Sequence, residues 1–188
     1  MPEKVSDSKI DKIIYLDSEF ISSKFEEIKG ICPVTQMTKV EGIRGQLSLG
    51  LLSSGIHTQE TKTFAVSSFQ MWLEIESELI KYPDFKVSNF VNYKGTFVGW
   101  IKGNLSLGTW KEKESDNNYE YFELYSDNQR VALLTQQEYL AAGFNSILTA
   151  SSALKSNIGI PTRILARILW YVERSGFYIA CPYIILES

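Results

Sequence analysis

The chain has 188 residues, with 19 Lys and Arg against 22 Asp and Glu, one His, two Cys and 44% apolar residues, a globular composition carrying a formal charge of −3. That balance excludes sequence-independent nucleic-acid binding, which needs a broad excess of Lys and Arg. Cys32 and Cys181 cannot by themselves build a disulfide framework or a structural zinc site.

In chain order, residues 1–11 are polar and lack the apolar run of a signal peptide. Ile13-Ile14-Tyr15-Leu16 predicts a strand. Phe20, Ile21, Lys24, Phe25 and Ile28 then fall at helical spacing, with Asp17 or Ser18 as the cap and Gly30 as the stop. From 34 to 66 apolar and polar residues alternate, with turns at Gly42, Gly45 and Ser54-Gly55, so the pattern is β. Ser67 or Ser68 caps a second helix of about fourteen residues, buried through Phe69, Trp72, Leu73, Leu79 and Ile80 and ending near Tyr82-Pro83.

Residues 90–126 predict further strands, with a turn at 115–118. Asp127-Asn128 turns the chain into Arg130-Val-Ala-Leu-Leu. Residues 136–156 predict broken helix. Pro161 opens a last helix over 162–175, Gly176 ends it, and 177–186 is a final strand, far short of the ~20 residues that span a bilayer. A soft boundary falls at 83–88. The expected fold is α+β, with largely antiparallel sheet and three to four helices. It is arranged either as one compact domain or as two small β-rich parts, 1–84 and 85–188, sharing a core.

KIIYLDSEFISSKFEEI, GQLSLGLLSSGIHTQETKT and FYIACPYIIL together resemble a bacterial family of unknown function. Its members begin with a strand ending in Tyr-Leu-Asp and end in a strand with an internal Pro. This chain departs from the family's Gln-rich first helix, carrying Lys24, Glu26 and Glu27 there. The resemblance implies a bacterial, cytoplasmic protein and brings no catalytic residue with it. Reduced thiols fit that location.

Asp17-x-Glu19 at a strand end is similar to the opening motif of two-metal exonucleases, whose carboxylates hold Mg²⁺ beside a phosphate. The closing motif of those enzymes, a Tyr or His four residues before an Asp, is missing: Ile80, Glu112 and Glu123 precede Asp84, Asp116 and Asp127. The plainer reading makes Asp17 the cap of the first helix, with Glu19 complementing its dipole. His57, the only histidine, sits in a turn-like SSGIHTQE segment, and no G-x-S-x-G elbow, Walker A or G-x-G-x-x-G pattern occurs.

Read as a helix, residues 162–175 place Ile164, Leu165, Ile168, Leu169 and Val172 on one side. Arg163, Arg167, Trp170 and Arg174 then gather within about 60° on the other. Arginines with an indole among them grip phosphates and stack a base. The competing reading is a solvated face, or one paired with Glu74, Glu76 and Glu78. Trp100, Trp110, Tyr119, Tyr121, Phe122 and Tyr125 crowd the second β region, as core or as the lining of a cleft.

These residues point to a non-enzymatic binding or accessory protein that recognises a small anionic, nucleotide-like ligand or a partner protein through Arg163, Arg167, Trp170 and Arg174. It needs no cofactor, no membrane and no non-specific nucleic-acid contact, and is compatible with a homo-oligomer. The alternative is a phosphodiesterase or exonuclease using Asp17 and Glu19 with Mg²⁺ or Mn²⁺.

Overall fold

The computed structural model describes residues 9–33, 35–42, 57–64, 67–86, 95–111, 118–141, 143–147, 158–174 and 176–188. Strand β1 (Ile13–Leu16) leads into helix α1 (Ser18–Lys29). Asp17 Oδ1 accepts the backbone N–H groups of Glu19 and Phe20 at 3.0 and 2.9 Å, and Gly30 closes the helix at φ 69°. These contacts satisfy the orphan donors and carbonyls that every helix end leaves. Strands β2 (Thr35–Gly42) and β3 (His57–Phe64) follow as a two-stranded antiparallel sheet of their own. Helix α2 (Ser68–Leu79) is capped by Ser67, whose Oγ accepts the N–H of Gln70.

The rest is strand. β4 (Phe97–Lys111), β5 (Asn118–Ser126), β6 (Gln129–Leu133), β7 (Ile160–Val172) and β8 (Phe177–Glu187) close into a five-stranded barrel in the order β4-β5-β6-β8-β7, with β7 returning to β4. β4, β5 and β6 meander and β7 comes back beside β4, which is a Greek key. Every neighbouring pair is antiparallel except β6 and β8. Asp127 and Asn128 turn β5 into β6 with φ of 49° and 60°, the two positive values of a type I′ hairpin.

The molecule is α+β, as the composition of its elements predicts, but the sheet is a closed barrel. Among the described residues two helices of three turns stand where three to four helices were expected. A four-residue α3 (Phe144–Ile147) and short 3₁₀ turns add little. Of the broken helix expected at 136–156, the described residues 136–141 and 143–147 hold only the 3₁₀ turn Gln137–Tyr139 and α3, and residues 142 and 148–156 lie outside the described residues. So do the turns at Gly45, 54–55 and 115–117, and the far side of the boundary at 83–88.

The larger correction is the last helix. Residues 162–175 do not form one: Ile160–Val172 is strand β7, and it ends in the turn before β8. Ile164 and Ala166 point into the barrel, while Leu165 between them packs under the helices, so all three are fully buried. A strand covered on both faces has no polar face to betray a period of two, and its apolar residues then match helical spacing as well.

Two cores result. Inside the barrel lie Ile101, Leu105, Phe122, Leu124, Val131, Leu133, Ile164, Ile168 and Ile185, among others. Outside it, α1 and α2 bring Ile21, Phe25, Met71, Trp72, Ile75 and Leu79 against Trp100 of β4, Leu165 of β7 and Ile184 of β8. The register of β8 against β7 jumps at Tyr183, beside Pro182. A proline has no ladder donor, and within a sheet it fits at such a bulge. Among the described residues no helix is long and apolar enough to cross a membrane.

Candidate functional site

Two strands change neighbour part-way along, and both places gather polar side chains. β8 is paired with β6 up to Ala180 and with β1 from Ile184. β4 is paired with β5 only from Asn104 onward. Before that point its edge is covered by the segment after α2: Trp100 donates its N–H to the Pro83 carbonyl at 2.9 Å, and Phe85 donates to the Trp100 carbonyl at 2.6 Å. Gly99 makes this close approach feasible, because a Cβ there would lie 2.5 Å from the Pro83 oxygen.

Where β5 diverges and the 83–86 segment takes over, a cleft of about 230 Å³ opens, lined by Asp84, Phe85, Lys86, Trp100, Lys102, Ser126 and Asp127. Lys86 and Lys102 are exposed. Arg163 stands directly opposite Lys102 on β7. Its guanidinium lies 4.3 Å from the centre of the Trp100 ring and 3.6 Å from the Asp84 carboxylate, and its Nε is buried without a hydrogen-bond partner. Trp100 is itself fixed, its indole N–H donating to the Leu79 carbonyl at 2.9 Å. The lining balances two lysines against two aspartates, and Arg163, beside Asp84, adds one positive charge.

The cleft runs onto the outer face of β4, β5 and β6. Tyr125, 48% exposed, sits opposite Asn104 and Arg130. Further along, Arg130 donates from Nε and Nη2 to Glu123 Oε2 at 2.9 and 2.6 Å, and from Nη2 to the Tyr121 hydroxyl at 3.3 Å. Ser106 donates to Glu123 Oε1 at 3.4 Å. The Tyr121 ring lies across Gly108, where a Cβ would come within 2.6 Å of it. Burial raises the Tyr121 phenol, and its hydrogen bonds to Glu123 raise Arg130. The face is therefore a rigid, hydrogen-bonded surface with one exposed aromatic ring beside a basic cleft.

The four residues expected to form one recognition stripe are spread by the strand. Strand alternation keeps Arg163 and Arg167 on the outside of the barrel and the bulge between Ile168 and Trp170 adds Trp170, but Arg163 and Arg167 are four strand residues, roughly 13 Å, apart, with buried Leu165 between them. Arg167 faces Tyr183, 6.0 Å from its ring centre, and Tyr183 stacks on Phe20 of α1 at 3.8 Å. Trp170 is 51% exposed, and Arg174 is exposed in the turn before β8. Of the four, only Arg163 adjoins the cleft, through its contact with Asp84.

Asp17 is a helix cap whose carboxylate is committed to two backbone donors. Burial raises its pKa against the pull of those donors. Glu19 is exposed, and among the described residues no group of three or more His, Cys, Asp or Glu is placed to hold a metal ion. His57 begins β3, opposite Gly42. Cys32 is exposed and Cys181 half-buried, both thiols raised: Cys32 by the neighbouring Glu26, Cys181 by burial.

Of the crowded aromatics, Phe122 fills the barrel, Trp100 lies beneath α2, and Tyr121 and Tyr125 face outward. The side chains of Trp110 and Tyr119 lie outside the described residues. Lys86, Lys102 and Asp84 were missed by sequence reasoning. The one available signal was the alternation Trp100, Lys102, Asn104, which puts these residues on one face of a strand. Compared with protein-family models, curated proteins and solved structures, the chain matches none, so the resemblance of its opening and closing strands to a bacterial family brings nothing to the site.

Proposed function

We propose that this protein is a non-catalytic binding module for a nucleotide-like ligand, which it takes at the cleft and the adjoining face of β4 and β5. The observation that supports this reading is Arg163, held on the Trp100 ring with an unpartnered Nε, opposite Lys102 and 3.6 Å from Asp84 of the cleft. A guanidinium held on an aromatic face with Lys102 opposite it suits a phosphate. Asp84 and Asp127 cap how much negative charge the cleft tolerates, which favours one phosphate over a polyanionic strand. Tyr125 is the exposed ring within reach of the same face, and it offers a stacking surface for a base. Five-stranded Greek-key barrels that bind oligonucleotides and oligosaccharides use the outer face of their second and third strands, here β5 and β6. Fold alone does not assign function, and this parallel only adds to the argument from the residues.

The test is a thermal-shift titration with AMP, GMP and inorganic phosphate. At a hundredfold excess over Kd, binding adds about 2.7 kcal/mol, which moves the midpoint of a chain this size by roughly 5–10 °C. Lys102→Glu should abolish the shift without unfolding the protein, because Lys102 is exposed. Absence of any shift, or a shift that survives Lys102→Glu, would overturn the assignment.

A further inference from the structure

The guanidinium beside the cleft is already engaged by an anion of the protein itself. Arg163 Nη2 lies 3.6 Å from Asp84 Oδ1. The two partners differ in how firmly they are held. Trp100, on whose ring the guanidinium rests at 4.3 Å, donates its indole N–H to the Leu79 carbonyl and its backbone N–H to the Pro83 carbonyl, and accepts the Phe85 N–H. Arg163 sits on that fixed ring with 31% of its side chain exposed, whereas 62% of the Asp84 side chain is in solvent.

The backbone of Asp84 is fixed as well. It bridges to Trp100, with the Pro83 and Phe85 hydrogen bonds on either side of it. Its carboxylate can therefore leave Arg163 by side-chain rotation alone, with the segment staying on the edge of β4.

We propose that Asp84 is a tethered stand-in for the phosphate, holding the Arg163 guanidinium until a ligand displaces it. The inference rests on the reading of the cleft as a nucleotide site, and adds the contact that sets its affinity. A guanidinium grips carboxylate and phosphate oxygens with the same N–H groups, so the two anions compete for Arg163. Asp84 itself lines the cleft together with Lys86 and Lys102, which puts the competitor inside the site.

The size of the effect follows from the exposure of the pair. Exposed ion pairs have a strength that leaves them open for roughly 15–40% of the time. An apparent dissociation constant is the intrinsic one divided by the open fraction. Removing the Asp84 charge should thus tighten phosphate binding roughly two- to sixfold. Asp127 lines the same cleft from the β5–β6 turn and is the control for charge alone. Asn accepts the left-handed backbone at that position, φ 49°.

Thermal-shift titrations of the full chain with inorganic phosphate, at about 0.15 M NaCl, test the proposal. Asp84→Asn keeps the size of the side chain and removes its charge. It should lower the dissociation constant for phosphate roughly two- to sixfold, with a ligand-free melting temperature close to that of the wild type. Asp127→Asn should lower it by a smaller factor, because a charge acting through solvent is screened. Phosphate binding unchanged or weakened in Asp84→Asn, or tightened equally by Asp127→Asn, would overturn the inference and leave the nucleotide reading standing. Absence of phosphate binding in both the wild type and Asp84→Asn would remove the two together.

Discussion

Gly99→Ala is the sharpest test of how the cleft is built. The added methyl group would meet the Pro83 carbonyl oxygen at 2.5 Å and Phe97 Cε1 at 2.6 Å, roughly 1 Å closer than an ordinary contact. The phenyl ring can swing aside, but the carbonyl is backbone and already accepts the Trp100 N–H at 2.9 Å. Relief therefore means pushing the 83–85 segment off the edge of β4. Overpacking of this kind costs about 1–3 kcal/mol, and each loosened backbone hydrogen bond adds about 1 kcal/mol. The smaller entropy of the unfolded Ala chain returns about 0.4–1 kcal/mol.

The net expectation for Gly99→Ala is a loss of about 2–3 kcal/mol, or a melting temperature lower by roughly 4–12 °C. Gly159→Ala is the control, because no atom lies within 4 Å of its Cβ position and its φ lies outside the left-handed range. It should leave stability unchanged or raise it by about 0.4–1 kcal/mol. Urea unfolding of the three proteins in parallel decides the matter. If Gly99→Ala is as stable as the wild type, the 83–85 segment does not lie against β4 as described, and the cleft loses its wall.

Two further outcomes concern titrating groups. Asp17→Ala should cost about 1 kcal/mol as a lost helix cap, while Asp17→Asn, an equally good cap, should be close to neutral at pH 7. Burial raises the folded pKa of Asp17, so its protonated form is favoured in the fold. That contribution is present below the unfolded pKa near 4 and fades as pH rises through the folded value. The wild type should thus gain on Asp17→Asn as the pH is lowered from 7 towards 4, and guanidinium titrations showing the opposite trend would refute the burial argument.

At the alkaline end, burial raises Tyr15 beyond the usual tyrosine range and pushes Tyr139 up to about 12. Both rings, edge to face at 5.9 Å, favour the neutral phenol in the fold, so stability falls as pH climbs past 10. Tyr15→Phe, which loses only a long 3.5 Å bond from the Gln136 N–H, should be near neutral at pH 7 and more stable than the wild type at pH 11. An unchanged difference at the two pH values would count against it.

Local chemistry was legible in the amino-acid sequence wherever the deciding interaction is itself local. Asp17 and Gly30 bound α1, Ser67 starts α2, and Asp127-Asn128 turns β5 into β6, because a cap or a tight turn is satisfied by atoms within a few residues. The α+β class followed from the same reading. The recognition stripe failed with the helix that carried it. Arg163, Arg167, Trp170 and Arg174 share a face at helical spacing, yet in β7 only Arg163 reaches the cleft, and the others are spaced along the barrel and its turn.

Only the tertiary structure could decide that segment. Ile164 and Ala166 are buried by the barrel interior and Leu165 by two helices more than eighty residues away in the chain. Burial on both faces erases the alternation by which a strand is recognised. The cleft has the same origin. Lys86, Lys102 and Arg163 come from three separate segments, brought together by the register of β4 against β7 and by the Pro83–Trp100 hydrogen bond. Composition and spacing set the helices and turns, whereas closure of the barrel determined which charged residues meet.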